Sequence, residues 1–143
     1  MTDVCESLQK LLPAIWLGML IGVSFIATPV KFQAGSLSLP VALDVGRVTF
    51  HLFSRIEWIM AMLLIMALLA GGSPTRLKIV SCVLLSLILI EGIWLLPNLY
   101  ARAHAIISGN TPAPSSHHIL YAATELLKAS TLLVLALPRS GNG

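Results

Sequence analysis

Three glutamates sit where glutamates are costly. Glu57, Glu91 and Glu125 each interrupt a separate run of apolar residues, and a charge at membrane depth costs about 2.5 to 3.5 kcal/mol on insertion scales. Counting along the chain puts them on one level. Glu57 precedes Gly71 by 14 residues, Glu91 follows Arg76 by 15, and Glu125 precedes Pro138 by 13. At about 1.5 Å per residue each lies roughly 20 Å from the same edge, about two-thirds of the way across a hydrocarbon layer of about 30 Å. Ser24, 14 residues after Lys10, is expected at the same depth.

Helical spacing adds company to each acid. His118, Tyr121, Glu125 and Lys128 fall on one face, as do Glu91, Leu95, Asn98 and Arg102, and Arg47, Phe50, Ser54 and Glu57. Asp44, His51 and Arg55 form a neighbouring stripe. If the faces converge, they enclose a polar pocket that opens toward the outer side. Its candidate binding or proton-relay residues are Glu57, Glu91, Glu125, His118, Tyr121, Lys128, Arg47, Arg55, His51, Asn98 and Arg102.

Four uses of such a pocket compete. Buried charges are generally paired, so a structural network of Glu125 with Lys128 and of Glu57 with Arg55 or Lys31 carries the most weight. Transport or proton relay comes next, because acids and histidines inside a membrane are the usual groups for that work. A metal site of Glu57, Glu91, Glu125 and His118 ranks lower, since the Glu-x-x-His pair of di-iron bundles is absent. Acid/base catalysis by Glu125 and His118 ranks with it, as nothing resembles a nucleophile motif.

The elements that must position these residues are membrane helices. The 143 residues are 57% hydrophobic and 10% charged, against about a quarter charged in soluble domains, which excludes an ordinary soluble domain. A net charge of +3 is modest for a membrane protein, whose basic residues serve anionic lipid surfaces, and it gives no support to nucleic-acid binding. Cys5 and Cys82 have no CxxC or Cys/His spacing, so neither a disulfide framework nor a zinc site is expected. Asp3 and Glu6 spoil a signal-peptide n-region, so the first apolar run is read as a retained helix.

Apolar runs at about 11–30, 50–70, 77–96 and 118–137 predict an all-α integral membrane bundle of four transmembrane helices in a single domain, 1–143. The second helix is expected to start at Pro40 and continue unbroken to Ala70. The third is expected to kink at Pro97 and continue past it, so that both extend beyond the bilayer on the outer side. Gly71-Gly72-Ser73-Pro74 is a tight turn, and Gly109 to Ser116 a polar loop. Ala14, Gly18 and Gly22 form a small-residue seam suited to close helix approach, within the chain or to a second subunit. Lys10, Arg76, Lys78 and Arg139 place both termini on the cytoplasmic side of a bacterial inner membrane by the positive-inside bias.

Trp16-Leu17-Gly18, Ala27-Thr28-Pro29-Val30-Lys31-Phe32, the long amphipathic start of the second helix and the histidine-led fourth helix resemble the bacterial relatives of the animal transmembrane protein 205 family. That resemblance implies a four-helix membrane protein, with an animal member linked to the handling of platinum drugs, and it supplies no catalytic residues. The functional expectation is a small multi-pass protein that binds or conducts a small solute, proton or metal ion through the carboxylate/histidine pocket. The alternatives are an accessory subunit of a larger membrane complex and, less favoured, a membrane-embedded enzyme. The expected partners are the lipid bilayer and either further copies of the chain or a larger complex, with the cofactor left open.

Overall fold

Helices account for all regular structure among the described residues, which in this computed structural model are residues 2–137. Four of them are long and apolar enough to cross a membrane: Val4–Lys31, Leu39–Ala70, Thr75–Ile107 and His117–Ala136. The protein is an all-α, multi-pass membrane protein. The second and third helices, at 32 and 33 residues, exceed the 20 or so that span the hydrocarbon. Pro138 and Arg139, assigned above to the end of the fourth helix and to the inner charge belt, lie outside the described residues.

Each helix packs on two neighbours. The first lies against the second and fourth, the lower part of the third against the fourth, and the upper part of the third against the second. The core between them is apolar, with Trp16, Leu20, Leu64, Leu84 and Leu132 fully buried. The exposed faces carry Leu63, Ile93, Leu126 and similar residues, as expected where the solvent is lipid rather than water.

Two helices change pitch, and proline explains where. The first runs Thr2–Leu20, widens to a π-helix over Ile21–Ala27, and resumes over Thr28–Lys31. The third runs Thr75–Ile90, widens over Glu91–Leu95, and resumes over Leu96–Ile107. A proline has no N–H and its ring clashes with the carbonyl four residues back, here that of Phe25 for Pro29 and of Ile93 for Pro97. Bonds reaching back five residues take up the strain: Thr28 N–H donates to Val23 O, and Leu96 N–H to Glu91 O. The irregularity in the third helix therefore falls upstream of Pro97, on Glu91 itself, and π-bulges often mark functional sites.

The first helix also starts earlier than its apolar run. Gln9 is fully buried, and its Nε2 donates to Ala67 O at 2.8 Å and to Ser73 Oγ at 2.9 Å, while Ser73 Oγ donates to Leu68 O at 3.0 Å. This clamp fixes the first helix in register against the end of the second. Gly71 makes it possible: a Cβ there would meet Gln9 Nε2 at 2.5 Å and Ala67 O at 3.0 Å. Gly72 turns the chain with φ +60°, a conformation that favours glycine.

The small-residue seam does not pack inside the bundle. Ala14 and Gly18 are exposed, and a Cβ on Gly18 or Gly22 would meet nothing within 4 Å. Close approaches within the chain occur instead at Gly71 and at Gly46, which lies against the Lys31 ammonium.

Breaking the clamp leaves Ser73 and the end of the second helix short of a donor. Gln9→Ala and Gly71→Val are expected to lower thermal stability in detergent by about 1 to 2 kcal/mol each. Gln33→Ala, on an exposed turn, serves as the control and is expected to leave the melting temperature unchanged.

Candidate functional site

Lys128 is fully buried, and its ammonium lies among three carboxylates that are also buried. Nζ is 2.8 Å from Glu57 Oε1 on the second helix and 2.5 Å from Glu125 Oε1, one turn back on its own helix, and it also pairs with Glu91 Oε2 on the third. An ammonium has three N–H donors, and here each acid supplies one oxygen. The common depth counted in the sequence thus becomes a single cluster, in which one oxygen from each acid lies within 4.8 Å of the others.

The first helix contributes Trp16, whose Nε1–H donates to Glu57 Oε1 at 3.1 Å. Counting along the sequence placed Ser24 at this level and gave Trp16 no part in the site. The difference lies in the zero point. With Gln9 clamped at Ala67, Trp16 is seven residues along the first helix, about 10 Å, and Glu57 ten residues along the second, about 15 Å. The long indole covers the remainder. Ser24 sits higher, half-buried in the π segment, with its hydroxyl unpartnered among the described residues.

The pairing expected for Glu57 changes accordingly. Arg55 is exposed, and Lys31 lies over the rings of Phe32 and Phe50 at 5.1 and 5.5 Å from their centroids. Lys128 takes the role assigned to either. Other candidates also stand apart from the cluster. His51 is exposed and edges the Tyr100 ring at 6.2 Å, Asn98 Nδ2 donates to Trp94 O of its own helix at 2.7 Å, and Arg102 donates to Ala113 O in the loop. Arg47 pairs with Asp44 at 2.7 Å on an exposed face.

Above the cluster, toward the two longer connections, lies a cavity of about 100 Å³. Lys31, Arg47, Phe50, Tyr100, His118 and Tyr121 contribute to its wall. Tyr121 is buried, packs edge-on to Phe50 with centroids 5.3 Å apart, and stands beside all three acids. The two rings therefore partition the cavity from the cluster. Toward the Gly71 turn the core continues as Leu64, Leu84, Leu132 and Leu135, all buried.

Chemically, three carboxylates against one ammonium leave two formal negative charges if every acid is ionised. Tyr121 stands against Glu91, whereas Glu125 Oε2 is buried and meets no hydrogen-bond donor among the described residues. A divalent cation on the three carboxylates would have to displace Lys128 from their midst, and exposed His118 does not join the set. Removing the ammonium alone leaves uncompensated buried charge, at about 3 to 5 kcal/mol. Lys128→Met is accordingly expected to lose monodisperse folded protein in size-exclusion chromatography. Adding Glu57→Gln, Glu91→Gln and Glu125→Gln to Lys128→Met, which removes the acids together with the ammonium, is expected to restore it.

No curated protein and no solved structure matches the chain. The family described as "Domain of unknown function (DUF4149)" matches residues 11–106, a stretch that takes in Trp16, Glu57 and Glu91 and stops short of the fourth helix. With more than half of its residues in that match, the chain belongs to the DUF4149 family.

Proposed function

We propose that this protein moves protons, together with a small solute, through the site formed by Glu57, Glu91, Glu125 and Lys128. One observation carries the reading: a buried cluster of three acids holds one cation among the described residues. At membrane depth such an excess of negative charge is not tolerated, so the site takes up one or two further positive charges. Protons meet that need best, because the wall of the cavity leading to the acids carries the Lys31 ammonium, which repels metal ions. The apolar core below the cluster favours access from one side at a time, with Tyr121 and Phe50 at the boundary.

The same reading places the protein in a bacterial cytoplasmic membrane with both termini inside, in keeping with Lys10, Arg76 and Lys78 at the end of the bundle that carries the Gly71 turn. The resemblance to the transmembrane protein 205 relatives fits such a small-solute role. Ala14, Gly18 and Gly22, facing out of the bundle, suit self-association through a second copy. The same face would serve an accessory subunit docked on a larger complex. Native mass measurement of protein extracted in mild detergent separates the two: a homo-oligomer supports the transporter, a stoichiometric foreign subunit the accessory role.

Proton movement is tested in liposomes holding a pH-sensitive dye, with a pH gradient imposed across the membrane. Wild-type protein is expected to dissipate the gradient faster than empty liposomes. Glu91→Gln and Glu125→Gln are each expected to slow it about ten-fold or more while remaining folded, since each removes an acid that exceeds what Lys128 can balance. Wild-type rates equal to those of empty liposomes, or wild-type rates in every Gln variant, would reject the proposal.

A further inference from the structure

The cavity above the acids has a chemistry of its own. Lys31 is the last residue of the first span, half-buried, and makes no ion pair among the described residues. Its ammonium is held by the faces of Phe32 and Phe50 and lies in the notch left by Gly46. Ring faces attract a cation but leave its charge uncancelled, so an anion entering the cavity finds an ammonium without a carboxylate partner. A second polar group on the same wall is also unmatched: the Tyr100 hydroxyl is buried without a hydrogen-bond partner among the described residues.

The rest of the wall narrows the choice of ligand. Arg47, paired with Asp44, and His118 add N–H groups, no acid among the described residues lines the cavity, and Leu43, Leu96, Leu99 and Phe50 supply apolar surface. A volume of about 100 Å³ is small beside the roughly 300 to 1,000 Å³ of sites for drug-sized molecules. Cations are disfavoured by the Lys31 ammonium. A fully hydrated inorganic anion such as phosphate is disfavoured by the apolar surface, which offers too few donors to replace its water.

We infer that the cavity between Lys31, Tyr100 and Tyr121 binds a small organic carboxylate with a hydrocarbon body. Its carboxylate pairs with the Lys31 ammonium and accepts a hydrogen bond from Tyr100, and its hydrocarbon part lies against Phe50 and the leucines. Binding stands on the cavity alone. Only its coupling rests on the proton reading: an anion entering beside a proton cancels the charge that either would carry into the membrane, and both meet at the Tyr121 partition.

The test is calorimetric titration of the full chain in nanodiscs with butyrate and benzoate, and with propylammonium and inorganic phosphate as opposing probes. Saturable binding of a carboxylate and none of the other two is expected. Lys31→Gln is expected to weaken it about ten-fold or more, Lys31→Arg to retain most of it, and Tyr100→Phe to weaken it several-fold. Rescue by Lys31→Arg separates a lost charge from a damaged fold. No saturable carboxylate binding to the wild type, equal affinity in Lys31→Gln, or tighter binding of propylammonium or phosphate would overturn the assignment. Carboxylate binding without any proton movement in liposomes would leave this site standing and reject only the proton reading, whereas proton movement without carboxylate binding would do the reverse.

Discussion

The interaction on which the bundle depends is the ammonium of Lys128 held among Glu57, Glu91 and Glu125. In water such a contact contributes little; inside hydrocarbon the same groups have no alternative partner, so their pairing dictates which helix faces turn inward. Lys128 connects the fourth helix to the second and third, and Trp16 brings the first helix to the same cluster through Glu57. All four helices therefore share one polar centre. The arrangement is also unbalanced, with more acid than base, and a network built solely to fix register would gain nothing from the excess.

Backbone irregularity and function meet at the same places. The π segment of the third helix begins at Glu91, and that of the first ends one residue before Thr28 at the cavity wall. In both, a proline downstream forces a change of pitch, and the change of pitch alters which side chain faces the interior. In the third helix the widened turn begins on the very acid that pairs with Lys128. Prolines that look like interruptions in an apolar span are thus part of how the site is assembled.

Much of this was readable from residue order. Four spans, the unbroken second helix, the turn at Gly71 and the level shared by Glu57, Glu91 and Glu125 follow from counting, because hydrocarbon thickness and helical rise leave little freedom. Lys128 was visible on the face of Glu125, but its reach to the other two acids was not, because spacing within one helix says nothing about rotation of its neighbours. Trp16 was missed for a related reason: depth on the first helix was counted with Lys10 level with Gly71, whereas the clamp sets its neighbour Gln9 level with Ala67, about one turn deeper. Gln9 lies off the stripe formed by Val4, Leu8 and Leu11, which is exposed, so only its fold-specific partners, Ala67 and Ser73, reveal it. His51, Asn98 and Arg102 lie on the expected stripes but beyond the depth at which the helices close around the cluster.

Proton sharing among the acids is open to direct observation. Infrared spectra of the purified protein distinguish a protonated carboxyl, by its isolated C=O stretch, from the ionised form. If the excess acid is balanced by protons, the wild type shows that band at neutral pH, and Glu91→Gln or Glu125→Gln diminishes it. A spectrum at neutral pH without any protonated-carboxyl band, with all three acids ionised around Lys128, would contradict the charge balance on which the proposed function rests.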